Sequence, residues 1–563
     1  MATVMGFLVG NSQADFVPGR FIHDNTIMAQ ELIRGYSQKN ISSRCMIKMD
    51  LQKAYDSIQW SFVEHLLRQF VVKFFHLLME ERGFDKEIPS PLSCSYYVWN
   101  ISTGPSLSYT LRKLFVTILS VKNSESHTQL LPTTCCFFSK STLPSIMALL
   151  QVFDDFSRTS GLIANRQKCE IYFGGMPIQK QLQIAVAVQL KIGKLPFRYL
   201  GIPLNGKRLS ISQYQPLIEK MVSRIRHWTV KFLSYGGRLQ LVQSVLYAIQ
   251  HYWSQLFPLP KKVLKAVNTI CRQFLWSGDI GGRKSRVAWD DVCKPRTKGG
   301  LGLRHLETWN KAVLLKLLWA IHMKEDKLWV KWVHIYYVKE GNIMDMQCPS
   351  QASYLLRKLL KMRTIQNCEE WQTQVSSNSF CLSKIYLSLR PASMQVSWKE
   401  LSCSNSATPK ARFIFWLACW GRLATRDLLI NFGVEVPGQC VFCDTGMESV
   451  AHVLFECPSV YPIWQALFQW YGRSIHNRQW LLFLQQLCFE TKGKTLRNGF
   501  LKVLVTELVY GIWKERNKRI FEEASTDLCR VLRTAIQDAM IRCGNTKFSP
   551  ICSSFVNYPL CNR

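Results

Sequence analysis

The stretch Cys45 to Trp60, CMIKMDLQKAYDSIQW, decides how this chain is read. A short apolar run, Met46 to Asp50, has the length and composition of a buried strand and delivers a carboxylate, Asp50, at its end. Ala54-Tyr55-Asp56 follows a few residues later, and Ser57 to Phe70 has the pattern of a helix opening beside Asp56. A carboxylate at a strand end can hold divalent cations that activate a hydroxyl and neutralise a phosphate in displacement. An ordinary Asp capping a strand gives the same local pattern, so the reading turns on what surrounds it. Upstream lie Asn11-Ser12-Gln13-Ala14-Asp15-Phe16-Val17-Pro18-Gly19-Arg20 and Asp24-Asn25, then a segment with helical spacing from Ile27 to Tyr36.

Composition narrows the class of partner. The chain has 563 residues, long enough for several domains with their own cores, and 47% are hydrophobic, which excludes a disordered chain. Lys and Arg number 71 against 38 acidic residues, a formal net charge of +33. An excess of that size implies a polyanionic partner, because each neutralised phosphate releases counterions. Eighteen Trp and nineteen Tyr suit base stacking as well as cores. Met1 to Gly10 is apolar but lacks a basic leader and a cleavage site, and no run of apolar residues is long enough to span a bilayer. Twenty cysteines without secreted-domain spacing read as reduced thiols plus one metal site, so a nuclear or cytoplasmic, non-secreted protein is expected.

That metal site is Cys440-x2-Cys443-x8-His452-x4-Cys457. Two cysteines separated by two residues reach one ion from a tight turn, and a His and a Cys five apart can meet it from a helix or its end. Pro437-Gly438 before the motif and Pro458 after it supply the turns. Three thiolates and an imidazole suit tetrahedral zinc, and a closed four-ligand shell points to a structural role.

Together these segments resemble the reverse transcriptases of non-LTR (LINE-type) retrotransposons of plants. The first palm motif of that family matches Cys45 to Trp60, and its finger segment matches Asn11 to Arg20 with Asp24-Asn25. Phe153 to Phe173 (FDDFSRTSGLIANRQKCEIYF) resembles the helix, turn and strand that follow its active site. Three further landmarks resemble the region beyond the palm: Phe197 to Leu204, Gly236 to Leu241 (GGRLQL) and Lys298 to Leu303 (KGGLGL). Lys410-Ala411-Arg412-Phe413, Arg422 to Asp427 and Trp464 resemble the zinc-binding domain found after plant reverse transcriptases. The resemblance implies an α+β chain: incomplete fingers and palm at 1–180, a mostly helical thumb-like region at 181–345, and a connector at 346–400. A small helical zinc-binding domain at 401–475 follows, then a helical segment and weakly ordered tail at 476–563, with a helix from Leu501 to Glu522. It implies primer–template RNA and DNA as partners, structural zinc, and magnesium in the ancestral active form. It gives Asp50 the role of a magnesium ligand, Tyr55 that of a platform under the sugar, and Arg20 a contact to template or triphosphate. It also implies that the chain opens inside the fingers.

Two elements of that family are missing. One is a Gly-rich turn of the GLRQGDPLSP kind; the other is a hairpin with two adjacent Asp residues. Between Asp85 and Asp154 the sequence holds no Asp. Asp154-Asp155 does not substitute, because the register of Gly161 to Phe173 places it on the helix after the hairpin. Reading the intervening segment one nucleotide earlier offers an explanation. Codons permitted for Gly83 to Ile101 then spell LRQGDPLSPLLFVLCMEY, and those for Leu131 to Phe137 spell FADDMLF. Residues of about 84–137 are therefore read as an out-of-frame copy of the catalytic palm, with paired Asp codons expected at 133 and 134. In that reading Asp50 is vestigial and the chain is an inactive member of an RNA-directed DNA polymerase family. A non-catalytic nucleic-acid-binding protein and a pseudogene product without a role stand as alternatives.

Overall fold

The computed structural model describes residues 21–37, 42–52, 59–62, 64, 127–129, 134–228, 233–282, 285–391, 394–402, 405–493 and 495–544. Its contacts group the chain into two units, each assembled from interleaved segments: 1–214 with 253–258 and 311–385, and 215–252 with 259–310 and 386–563. The architecture mixes helices with two small sheets. None of the described helices is long and apolar enough to cross a membrane.

The first unit is organised by a five-stranded sheet of order β2-β3-β1-β4-β5, formed by β1 (Arg44–Asp50), β2 (His127–Gln129), β3 (Thr134–Lys140), β4 (Glu170–Gly174) and β5 (Lys191–Ile192). β1 lies in the middle, antiparallel to β3 on one side and β4 on the other. A central strand covered on both faces needs apolar residues at successive positions, which is why CMIKM lacks strict alternation. Cys45, Ile47 and Met49 point into one core with Phe137, Ile171 and residues of α1 (Leu143–Ser160), chiefly Ile146, Leu149 and Phe153. Pro144 in its first turn and left-handed Gly161 past its last residue bound α1. The expected helix, turn and strand over Phe153 to Phe173 are thus present, and the helix begins ten residues earlier than that match. The expected strand ending at Asp50 is present, as is a helix over Ile22–Ile33 that continues as a 3₁₀ turn to Ser37. The expected helix from Ser57 to Phe70 falls mostly outside the described residues.

That first helix is held by its polar side chains. Asp24 accepts the indole N–H of Trp329 at 2.8 Å and has Lys327 at 3.9 Å. Glu31 accepts from the Tyr337 hydroxyl at 3.4 Å, and Arg34 donates to the same hydroxyl. Burial raises both carboxyl pKa values, against the pull of Lys327 on Asp24 and of Ser353 and Arg34 on Glu31.

The second unit is helical. Its centre is the 26-residue helix Leu496–Phe521, buried on almost every side over Phe500 to Val509. It packs against Leu528–Gly544, Pro409–Cys419 and the turn His452–Glu456. The expected helix from Leu501 to Glu522 is this element. A helix buried on almost every side is not oriented by a single apolar face, and buried polar contacts fix its rotation here. Thr506 accepts from the Asn405 side-chain amide at 2.7 Å, and Glu507 accepts the Thr408 backbone N–H at 2.7 Å. Arg516 forms an ion pair with Glu448, whose side chains are 3% and 0% exposed. Glu448 also accepts the backbone N–H of Arg426 at 2.9 Å.

Breaking such a pair from one side leaves a buried charge without a partner. Glu448→Ala should therefore cost about 3–5 kcal/mol of stability in urea unfolding, and Glu448→Leu with Arg516→Met should recover most of it. A loss of less than about 0.5 kcal/mol for the single variant would show that the pair does not hold this unit together.

Candidate metal centre and polymerase site

Cys440, Cys443, His452 and Cys457 come together from two short pieces of backbone. The first is a hairpin-like loop. Gln439 and Met447 form an antiparallel bridge, the Cys440 N–H donates to the Gly446 carbonyl at 2.7 Å, and the Glu448 N–H donates to that of Gly438 at 2.8 Å. Within it the Asp444 N–H closes on the Cys440 carbonyl at 2.9 Å, with Asp444 in the left-handed region at φ 57°. This tight turn points both thiols to one side. The second piece is a helical turn opened by Ser449, whose Oγ accepts the His452 N–H at 3.1 Å. It widens into a π turn over His452–Glu456, and the Cys457 N–H donates to the His452 carbonyl at 2.9 Å. A bond five residues back places side chains five apart on the same side, which is what the x4 spacing requires.

The ligand atoms of the four residues lie within 4.8 Å of one another, the one such gathering of His, Cys or carboxylate groups among the described residues. Cys440 Sγ and Cys457 Sγ are 3.9 Å apart, and Cys443 Sγ and His452 Nε2 are 3.4 Å apart. Zinc with bonds of about 2.3 Å to sulfur and about 2.0 Å to nitrogen in a tetrahedron requires separations of roughly 3.8 and 3.5 Å. The donor set and its spacing fit that ion. Gly446 allows the close approach: a Cβ there would stand 2.7 Å from the His452 ring.

The electrostatics favour the metal-binding thiolate at Cys443 and Cys457 and hold a proton at Cys440 and His452, which an incoming ion would have to displace. Burial pushes the Cys443 thiol up, but hydrogen bonds from Thr445, His452 and the loop backbone outweigh it and bring it down to about 6. Burial pushes His452 down, and its bonds to Cys443 and Cys440 together with their charges outweigh that and raise it. Cys440 and Cys457 share one proton between their sulfurs, which raises the first and lowers the second. Arg519 lies over the Phe442 ring at 4.7 Å and the Trp464 indole donates to the Leu454 carbonyl at 2.7 Å, so both pieces are braced from outside. Glu448, between the two ligand pairs, is held by Arg516 from 68 residues away. Sequence reasoning missed this support. Only the Ser three residues before His452 signals part of it locally, as a helix cap.

The other candidate residues are not brought together in this way. Asp50 stands half-buried at the end of β1, and its carbonyl accepts the Asn165 N–H at 2.6 Å. Its partner across the sheet is Thr134, the first residue of β3. Asp154 and Asp155 lie in the second half of α1, not on a strand, and Asp155 is paired with Arg158. Tyr55 and Arg20 lie outside the described residues, as do most of the residues read as out of frame.

Comparison with known proteins agrees with this division. Residues 3–204 match the model of the reverse transcriptase (RNA-dependent DNA polymerase) family, and residues 380–464 match that of the zinc-binding domain in reverse transcriptases. The chain is 31% identical over 129 residues to the "Putative ribonuclease H protein At1g65750" of Arabidopsis thaliana, covering 23% of this chain and 21% of that relative. It is 29% identical over 120 residues to the "Uncharacterized mitochondrial protein AtMg00310" of the same plant, covering 21% of this chain and 78% of that relative. The chain thus carries one stretch similar to the reverse transcriptase family and a second similar to the zinc-binding domain of reverse transcriptases, a pair consistent with a plant LINE-type reverse transcriptase.

Proposed function

We propose that this chain descends from the RNA-directed DNA polymerase of a LINE-type element, binds nucleic acid, and as translated extends no primer. Asp50 sits where the ancestral enzyme would hold magnesium, but two ions cannot be fixed by one carboxylate. The observation that carries the reading is the pairing of Asp50 with Thr134. Residues directly opposite on antiparallel strands have Cα atoms about 4.5–5.5 Å apart, so side chains at these positions can share an ion. Position 134 is one of the two where the earlier reading frame calls for Asp. This supports a palm scaffold in place with its carboxylates rewritten. In the ancestral form Tyr55 would face the sugar and Arg20 the template or triphosphate.

The charge of +33 and the complete Cys/His cluster favour the second reading, a non-catalytic nucleic-acid-binding protein, over a product without any role. Zinc would be held by Cys440, Cys443, His452 and Cys457 and would close the loop that carries Glu448. With four protein ligands it has no open position for a reacting water, so its contribution is to folding.

Three outcomes test these statements. The full chain purified with zinc should carry one ion, and Cys443→Ser should release it and lower the unfolding midpoint; unchanged zinc content and midpoint in that variant would exclude the assignment. Zinc content is best measured on the full chain, since Arg516 lies beyond the 401–475 segment. Affinity for an RNA oligonucleotide should fall steeply with salt, and a flat log–log plot would rule out phosphate neutralisation. Primer extension on an RNA template with magnesium or manganese should be undetectable. A variant with residues 84–137 retranslated one nucleotide earlier is expected to regain paired carboxylates beside Asp50. Extension by the unaltered chain, abolished by Asp50→Asn, would overturn the inactive reading.

A further inference from the structure

Three of the sequence landmarks, GGRLQL at 236–241, KGGLGL at 298–303 and the Lys410 to Phe413 segment, have no part in either site above. In the second unit they close around one cavity of about 600 Å³, within the roughly 300–1,000 Å³ range of small-ligand sites. Their glycines are there for contact. Ser234 caps the short helix Tyr235–Leu241, and a Cβ on Gly236 would stand 3.0 Å from Pro409 at the start of the helix Pro409–Cys419. Gly299 adopts φ +83°, and its carbonyl accepts the indole N–H groups of both Trp416 and Trp420 at 2.8 Å. A Cβ on Gly300 would lie 1.9 Å from the Lys294 carbonyl oxygen, so no other residue fits that turn.

The lining is cationic and aromatic. Arg296, Lys410 and Arg412 face the cavity together with Phe413 and Trp416, and no Asp or Glu is among its lining residues. Arg412 donates one Nη to the Asn405 carbonyl at 3.3 Å, while its Nε is buried without a hydrogen-bond partner. Burial, and then the neighbouring guanidiniums of Arg296 and Arg542, lower its pKa. Glu507, in the adjoining cleft, is already engaged by the Thr408 N–H. A half-buried guanidinium with an unused N–H, crowded by like charge, is stabilised by an anion.

We propose that this cavity takes a backbone phosphate of a single-stranded nucleic acid, held by Arg296, Lys410 and Arg412. Phe413 and Trp416 are buried against Tyr235 and Trp276, so the contact is to the backbone and is expected to tolerate any base. The proposal rests on the nucleic-acid-binding reading and adds where a strand is held.

The test uses the full chain and a fluorescent single-stranded oligonucleotide, as RNA and as DNA, followed by anisotropy over a salt series. Arg296 and Lys410 are exposed, so the double variant Arg296→Ala/Lys410→Ala should fold, which an unchanged thermal melt verifies. It is expected to bind either strand about tenfold more weakly, with the salt slope reduced by about two. Arg412→Gln should weaken binding without a change in metal content. Unchanged affinity and slope in the folded double variant would overturn the site while leaving nucleic-acid binding intact. A wild-type chain that binds neither oligonucleotide would overturn that reading and the site together. Displacement by adenosine monophosphate at equal concentration would assign the cavity to a free nucleotide and overturn the strand.

Discussion

The buried ion pair between Glu448 and Arg516 is the constraint on which the second unit depends. Glu448 belongs to the loop that joins the two halves of the Cys/His cluster, and Arg516 to the long central helix. A charge pair this deeply buried adds little net stability over a well-packed apolar pair, but it tolerates no loss of one partner. It thereby fixes the rotation of a helix that is buried on almost every side, together with Asn405–Thr506 and Thr408–Glu507. The helix in turn sets where Pro409–Cys419 lies, and with it Arg412 and Trp416. The metal loop and the basic cavity are thus two results of one arrangement, joined through a helix that belongs to neither motif.

What the sequence discloses is what is local. The C-x2-C and H-x4-C spacings were legible because each is closed by backbone bonds within its own few residues, a tight turn in one case and an i+5 turn in the other. Met46 to Asp50 was legible as a buried strand because a central strand must be apolar on both faces. Asp154-Asp155 was correctly placed on a helix because Gly161 marks where that helix stops. Pairings across long separations leave no such trace: nothing near Glu448 announces Arg516, and nothing near Gly236 announces Pro409. The helix start at Leu143 was missed because the segment before it was read only through its reading frame.

The two ends of the chain hold their chemistry differently. In the metal cluster the backbone turns and the close approach of Gly446 to the His452 ring converge on the same four side chains. In the first unit the sheet is formed, and Asp50 is placed by its pairing with Thr134 and by the Asn165 N–H bond to its carbonyl. Position 134 keeps its address opposite Asp50, set by hydrogen bonds that belong to the main chain.

Such an address is indifferent to what is written at it. Main-chain ladders accept threonine as readily as many other residues, and cysteine and phenylalanine keep the strand buried after Thr134. A sheet of this kind can therefore outlast its reactivity over many generations of copying, with no penalty to its own formation. On the proposed descent, the five strands would act as a fossil imprint, keeping by position alone the places of reacting groups that are no longer written there.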